Sequence, residues 1–110
     1  MSIVMNLYYT GSCGNARKFV EEMEHSGTAD LIRGEAGNMR YEYFSSFDDP
    51  ETVLLVDIWR DQAAIDLHHA SPMMEKILQL REKYSLWVRA ERYVTDEGGI
   101  PEDDERFITK

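Results

Sequence analysis

The chain has 110 residues, of which 43% are hydrophobic and 11% aromatic, as expected for one small globular domain. Its net charge of −9 at pH 7 argues against nucleic acid or an anionic membrane as a partner, because both attract basic surfaces. No apolar run is long enough to span a bilayer, and residues 1–9 lack the basic start and cleavage site of a secretory signal. We therefore expect a cytoplasmic protein. The single cysteine, Cys13, excludes an internal disulfide and a cysteine-based zinc site.

The first predicted elements are a strand and a helix. The strand covers Ile3–Thr10 and is largely apolar on both faces, with Asn6 as the polar exception. Apolar residues then recur with a helical period over residues 16–23, which predicts an amphipathic helix. Gly27 is expected to end or kink this helix before one or two further turns.

A hairpin and a second helix follow. The two strands are predicted over residues 39–47 and 53–60, and the second is an almost unbroken apolar run that includes Trp59. Asp61 is placed to cap the next helix, since its carboxylate can accept a hydrogen bond from an unpaired backbone N–H. That helix carries His68 on its apolar face. Ser71-Pro72 then starts a further helix, with Ser71 as the predicted cap.

The last elements are a helix over residues 72–84, a strand over residues 86–94 and an acidic tail. The order β-α-β-β-α-β predicts an α+β fold of the ferredoxin-like, or split βαβ, type: an antiparallel four-stranded sheet with helices on one face. We divide the chain into a domain over residues 1–94 and an acidic tail over residues 95–110.

Two strands of this fold pose a solvation problem. The first and third strands are apolar on both faces, yet helices can cover only one face of the sheet. A large uncovered apolar face is rarely tolerated in a soluble monomer. The pattern therefore predicts a homodimer in which two sheets pack face to face, as in a dimeric α+β barrel. The tail is expected to dock on the partner subunit through Phe107 and Ile108.

An ordered set of residues from the second strand to the last helix is similar to the central signature of a known family. The set is Gly37, Arg40-Tyr41-Glu42, Asp57, Trp59, His68 and Ser71-Pro72. It resembles the antibiotic biosynthesis monooxygenase family, whose members are small dimeric α+β-barrel proteins and include quinol monooxygenases. The resemblance covers residues 3–94 and leaves the acidic tail outside.

The resemblance implies a cofactor-independent monooxygenase that oxidises a small aromatic, quinol or polyketide-like substrate with O₂ and needs no metal. His68 is then the expected base, since imidazole titrates near neutral pH. Asn6 would donate to the developing oxyanion, and Trp59 would stack on a flat ring. Tyr8 and Met73 are the expected substrate-binding residues.

Two other functions remain open. The protein could be a non-catalytic dimer of the same fold that binds a small ligand, with His68 and Trp59 as core residues and Asn6 satisfying a backbone group. It could also degrade haem, because related haem-degrading enzymes use an Asn and a Trp at positions similar to Asn6 and Trp59. Those enzymes also use an axial His in the helix after Ser-Pro, and no histidine lies between Pro72 and Tyr84. The haem alternative is therefore ranked last.

Overall fold

The computed structural model describes residues 1–109. The strands of its sheet are β1 (Ile3–Thr10), β2 (Asn38–Ser45), β3 (Thr52–Trp59) and β4 (Trp87–Val94). The helices are α1 (Asn15–His25), α2 (Thr28–Arg33), α3 (Gln62–His69) and α4 (Pro72–Lys83), with a 3₁₀ helix over Glu102–Phe107. All strand pairs are antiparallel and the order across the sheet is β2-β3-β1-β4. This is the ferredoxin-like arrangement that the element order predicts.

The predicted interruption of the first helix is confirmed. The α1 helix ends at His25, and Gly27 follows with a φ of 81°, in the left-handed region that favours glycine. The chain then resumes as the short α2 helix. The change of direction lets both helices pack on the same side of the sheet, because Phe19 and Met23 of α1 and Ile32 of α2 all enter one buried cluster.

Both predicted helix caps occupy the N-cap position, but only Asp61 makes a capping bond with its side chain. Asp61 precedes α3, and its Oδ1 accepts a hydrogen bond from the backbone N–H of Ala64 at 2.9 Å. Ser71 precedes α4 but makes no side-chain cap. Its hydroxyl instead donates to the carbonyl oxygen of His68 at 2.7 Å. The same carbonyl oxygen accepts the backbone N–H of Ser71 at 3.0 Å, and the carbonyl oxygen of Ser71 accepts the N–H of Met74 at 3.2 Å. Ser71 is therefore the N-cap residue of α4 by its backbone, while its side chain bonds to the preceding helix.

The core lies between the helices and one face of the sheet. On β3 every second residue is buried, from Val53 to Trp59, whereas the residues between them are only half-buried. Alternate side chains of a strand point to opposite faces, so this alternation separates a helix-covered face from the other one. No helix within residues 1–109 is long and apolar enough to cross a membrane.

No helix within residues 1–109 covers the other face of the sheet. We call it the open sheet face; β1 and β3 contribute Val4, Asn6, Tyr8, Leu54, Val56 and Ile58, which face one another in register. At its edge, the side chain of Trp87 is 82% exposed. The 3₁₀ helix of the tail leaves Phe107 74% exposed. Apolar surface on the open sheet face and on the tail is thus available to a partner.

A close backbone approach fixes the start of β2 against α3. Gly37 has a φ of 87°, and its carbonyl oxygen accepts a hydrogen bond from the backbone N–H of Arg60 at 2.8 Å. A Cβ atom at Gly37 would lie 2.6 Å from the Cβ atom of Ala64, which is shorter than any ordinary contact. Only glycine combines this backbone conformation with this proximity to the helix.

We predict that Gly37→Ala lowers the free energy of unfolding by roughly 2–4 kcal/mol, because left-handed strain and a backbone shift add together. Gly27→Ala is the matched control. Gly27 has a similar positive φ, but a Cβ atom there would meet nothing within 4 Å, so only the strain of roughly 1–2 kcal/mol remains. Urea unfolding curves of both variants measure the difference. Equal losses would show that the contact with Ala64 carries no cost.

Candidate active site

The end of β3 and the α3 helix bring Trp59 and His68 into contact beneath the helices. The ring centroids are 4.7 Å apart and the planes are inclined by 30°, so the two rings are stacked. Trp59 is 1% exposed and His68 is 5% exposed. These two predicted site residues are therefore in contact, in a buried environment where an imidazole needs a polar partner.

That partner is a carboxylate from the loop between α2 and β2. His68 Nδ1 lies 2.8 Å from Oε2 of Glu35, and the Glu35 side chain is itself only 16% exposed. Burial lowers the pKa of His68, although the nearby Glu35 acts to raise it. The imidazole is consequently neutral near pH 7, and its Nδ1–H donates to the carboxylate.

The remaining ring nitrogen of His68 has the properties of a base. Nε2 has no hydrogen-bond partner within residues 1–109, yet it is not fully enclosed. In the neutral tautomer with a proton on Nδ1, Nε2 carries the free lone pair. The arrangement of Glu35 and His68 therefore leaves one nitrogen held and the other available for a proton.

A second buried carboxyl group shares the site. Asp57 lies two residues before Trp59 on the same face of β3 and is 4% exposed. Burial raises the pKa of Asp57 to about 7, while interactions with the Trp59 and Asn38 side chains act in the opposite direction. Asn38 Nδ2 donates to Oδ1 of Asp57 at 3.2 Å. Asp57 can thus exchange a proton near neutral pH.

These groups line a cavity of about 260 Å³ between the sheet and the helices. Its walls are mainly apolar, from residues such as Met5, Leu7, Leu55, Ile65, Met74 and Val88. Its polar lining residues are two tyrosines, Tyr9 and Tyr41, together with Asp57, Gln62, His68, His69, Arg81 and Arg92. An apolar cavity with a few converging polar groups and shifted pKa values is the usual form of a small-molecule site.

Three of the predicted site residues are not brought to this cavity. Asn6 and Tyr8 lie on the open sheet face, because β1 directs its odd-numbered residues toward the helices. Tyr8 donates from its hydroxyl to Glu91 Oε1 at 3.0 Å, and the Arg89 guanidinium lies 4.0 Å from its ring centre. Met73 faces a different hollow beside α2, and the next residue, Met74, lines the cavity instead.

A larger hollow, of about 720 Å³, lies over the open sheet face and includes Tyr8, Leu54 and Trp87. It contains no histidine, and its acidic residue Asp49 is occupied by hydrogen bonds to Thr52 and Glu51. Among residues 1–109 no group of three or more His, Cys, Asp or Glu side chains is arranged to hold a metal ion. We therefore place the candidate active site at the cavity of His68.

Sequence reasoning gave no role to three residues of this site. Glu35 lies in a turn, 33 positions before His68, and no spacing rule connects them. Asp57 was visible as a carboxylate within an apolar strand, which is itself a sign of a functional residue. Tyr9 is buried and also lines the cavity; burial raises the pKa of Tyr9, so its hydroxyl stays protonated.

A sequence model of the family described as antibiotic biosynthesis monooxygenase matches residues 1–80. No curated protein matches the chain. Among solved structures, a candidate antibiotic biosynthesis monooxygenase from Nitrosomonas europaea superposes with a TM-score of 0.77 at 16% identity, over 87% of this chain and 91% of that one. A protein from Shewanella oneidensis is 26% identical, with a TM-score of 0.70 over 84% and 88%.

A third similar structure is the cofactor-independent oxygenase SnoaB of Streptomyces nogalater. It superposes with a TM-score of 0.72 at 14% identity, over 87% of this chain and 94% of that one. At this level of identity the likeness establishes a common fold.

We predict that Asp57→Asn stabilises the protein at high pH but not at low pH. Because the pKa of Asp57 is raised to about 7, the folded state holds a proton that the unfolded state has lost between about pH 4 and pH 7, and stability falls across that window. The variant should unfold with a free energy roughly 2–4 kcal/mol higher than the unmodified protein at about pH 8, and with little difference at about pH 4. Urea unfolding at both pH values measures this. A difference independent of pH would contradict a raised pKa.

Proposed function

The chain belongs to the antibiotic biosynthesis monooxygenase family, and we propose that it is a cofactor-independent monooxygenase that oxidises a small aromatic, quinol or polyketide-like substrate with O₂. The observation that carries this proposal is the buried imidazole of His68, held at Nδ1 by Glu35 and free at Nε2 beside an apolar cavity. The similar fold of SnoaB, a cofactor-independent oxygenase, supports the same reaction class.

The first chemical step is a proton transfer to His68. Its Nε2 takes the proton of a substrate hydroxyl group, and the resulting phenolate is electron-rich enough to reduce O₂ directly. Glu35 stabilises the imidazolium that forms, because it accepts a charge-assisted hydrogen bond from Nδ1. The apolar walls limit competing water, which strengthens these electrostatic interactions.

The later steps need a proton donor, and Asp57 is suited to that role. With a pKa of about 7, it is partly protonated at neutral pH and can deliver a proton to the oxygen atom that leaves as water. For a hydroquinone, one atom of O₂ enters the ring, the other forms water, and the substrate becomes a hydroxyquinone. The hydroquinone supplies all the electrons, so the balance requires no other reductant.

Oxygen uptake tests the proposal. The purified protein is mixed with substituted hydroquinones and phenols, and an oxygen electrode records consumption above the spontaneous rate. With isotopically labelled O₂, we expect one labelled atom in each product molecule. A protein that binds these compounds without accelerating oxygen uptake would be a ligand-binding member of the same fold, and the proposal would fail.

We predict that His68→Ala lowers kcat at least 100-fold, since general bases typically contribute 10²–10⁴-fold. It should also lower the free energy of unfolding by about 1–3 kcal/mol, because Glu35 loses its partner. His68→Gln separates the two effects: an amide can still donate to Glu35 but cannot act as a base. Activity retained in His68→Gln would exclude the imidazole as the base.

We predict that Glu35→Gln shifts the acid limb of the pH–rate profile to lower pH and reduces kcat. Glu35 raises the pKa of His68, so removing its charge lowers that pKa further and makes the imidazole a weaker base. Glu75→Gln, on the exposed side of α4, is the matched control and should leave the profile unchanged. An unchanged acid limb in Glu35→Gln would contradict the pairing.

We also propose that the open sheet face is the contact of a homodimer. Val4, Leu54, Val56 and Ile58 support this, because these apolar side chains lie together on the face of the sheet away from the helices. The exposed side chains of Phe107 and Ile108 offer further contact area for the tail on the partner subunit.

Sedimentation at micromolar concentration should give a dimer for the unmodified protein. Val56→Glu, in the centre of the open sheet face, should shift it toward monomer, because it would bury two like charges against each other. Leu31→Glu, at an exposed apolar residue of α2, is the matched control and should remain dimeric. A monomeric unmodified protein would contradict the dimer.

A further inference from the structure

Two arginines enter the candidate active site from different elements. Arg81 belongs to α4 and Arg92 to β4, and both line the cavity of His68. Arg81 is half-buried and Arg92 is exposed, so both side chains remain accessible from solvent. None of the proton-transfer steps described above uses either side chain.

Neither arginine has an ion-pair partner within residues 1–109. Arg33, Arg40 and Arg89, for comparison, each pair with a carboxylate. A half-buried guanidinium without a carboxylate beside it retains strong, fork-shaped donor capacity for an anion.

The register of the sheet sets the distance between the backbones of Arg92 and Asp57. Met5 on β1 lies directly opposite Asp57 on β3 and directly opposite Arg92 on β4. Asp57, Met5 and Arg92 therefore form one row across the helix-covered face, and all three line the cavity. Neighbouring strands are about 4.8 Å apart, which separates the Asp57 and Arg92 backbones by roughly 10 Å. A flat ring lying over Met5 could reach both ends.

The size of the cavity limits the ring system. Benzene fills an apolar cavity of about 150 Å³, and this cavity measures about 260 Å³. One or two fused rings therefore fit within a single chain. A molecule of four fused rings would need more space than the cavity offers.

We infer that the substrate is a one- or two-ring aromatic acid whose carboxylate binds Arg81 and Arg92 while its hydroxyl group faces His68. This inference rests on the proposed function for the hydroxyl group, but the recognition of the carboxylate stands on the two arginines alone. The binding orients the ring, because a bidentate guanidinium contact fixes both the position and the plane of a carboxylate.

Calorimetric titration with 2-naphthoate and 2-naphthamide tests the inference. The two compounds have nearly the same shape and differ in charge, and neither is a hydroquinone, so binding is measured without turnover. We expect the acid to bind at least roughly ten-fold more tightly than the amide. Arg81→Gln and Arg92→Gln should each weaken binding of the acid by roughly ten-fold and leave the amide unaffected.

Arg17→Gln is the matched control, because Arg17 is an exposed arginine of α1 outside the cavity and also lacks an ion pair within residues 1–109. It removes the same charge and should change neither affinity. Since Arg92 is exposed, Arg92→Gln is expected to fold even if Arg81→Gln does not. Equal binding of acid and amide, no binding of the acid at millimolar concentration, or an equal loss in Arg17→Gln would each overturn the inference.

The result of the naphthoate titration can be distinguished from the result of the oxygen-uptake experiment. Preferential binding of 2-naphthoate without any accelerated oxygen uptake would leave an acid-binding protein and remove the proposed function. Accelerated oxidation of neutral hydroquinones, with 2-naphthoate and 2-naphthamide bound equally, would retain the monooxygenase and remove the acid specificity.

Discussion

The hydrogen bond between His68 and Glu35 is the interaction on which the site depends. An imidazole and a carboxylate are both taken out of water, and each is tolerated there because the other satisfies it. The bond also determines which nitrogen of His68 holds the proton. Gly37 makes the geometry possible, because its close approach to α3 holds the loop that carries Glu35 against the helix that carries His68.

The same small core accommodates a further buried carboxyl group at Asp57, and the two acidic groups differ in their surroundings. Glu35 has His68 as a hydrogen-bond donor. For Asp57 the main effect is desolvation, which disfavours the charged carboxylate and so raises its pKa. A carboxyl group that titrates near neutral pH beside an imidazole is typical of sites that transfer protons. Such a site lowers the stability of the fold at neutral pH, and a purely apolar core of the same volume would not have that cost.

Much of the fold could be predicted from the sequence, because strand and helix periodicity over most of residues 3–94 is clear. The contact between Trp59 and His68 was also accessible, since a strand end and the following helix must lie close together. The position of Asn6 could not be predicted, because strand alternation alone does not say which face of β1 lies on the same side of the sheet as which face of β3. The observed register pairs Asn6 with Val56, which places it on the face away from Trp59. Met73 and Met74 differ by one helical position, and the phase of a helix against a cavity is decided by tertiary packing.

The central claim is that His68 is held as a neutral base, and measuring which of its nitrogen atoms carry protons tests that claim most directly. Nitrogen NMR spectra of the imidazole at about pH 7, where a free histidine is mostly neutral but mobile between tautomers, distinguish its two nitrogen atoms. The account predicts a single neutral tautomer with the proton on Nδ1 and an unprotonated Nε2. An imidazolium ion at that pH, or a proton on Nε2 with Nδ1 bare, would contradict it.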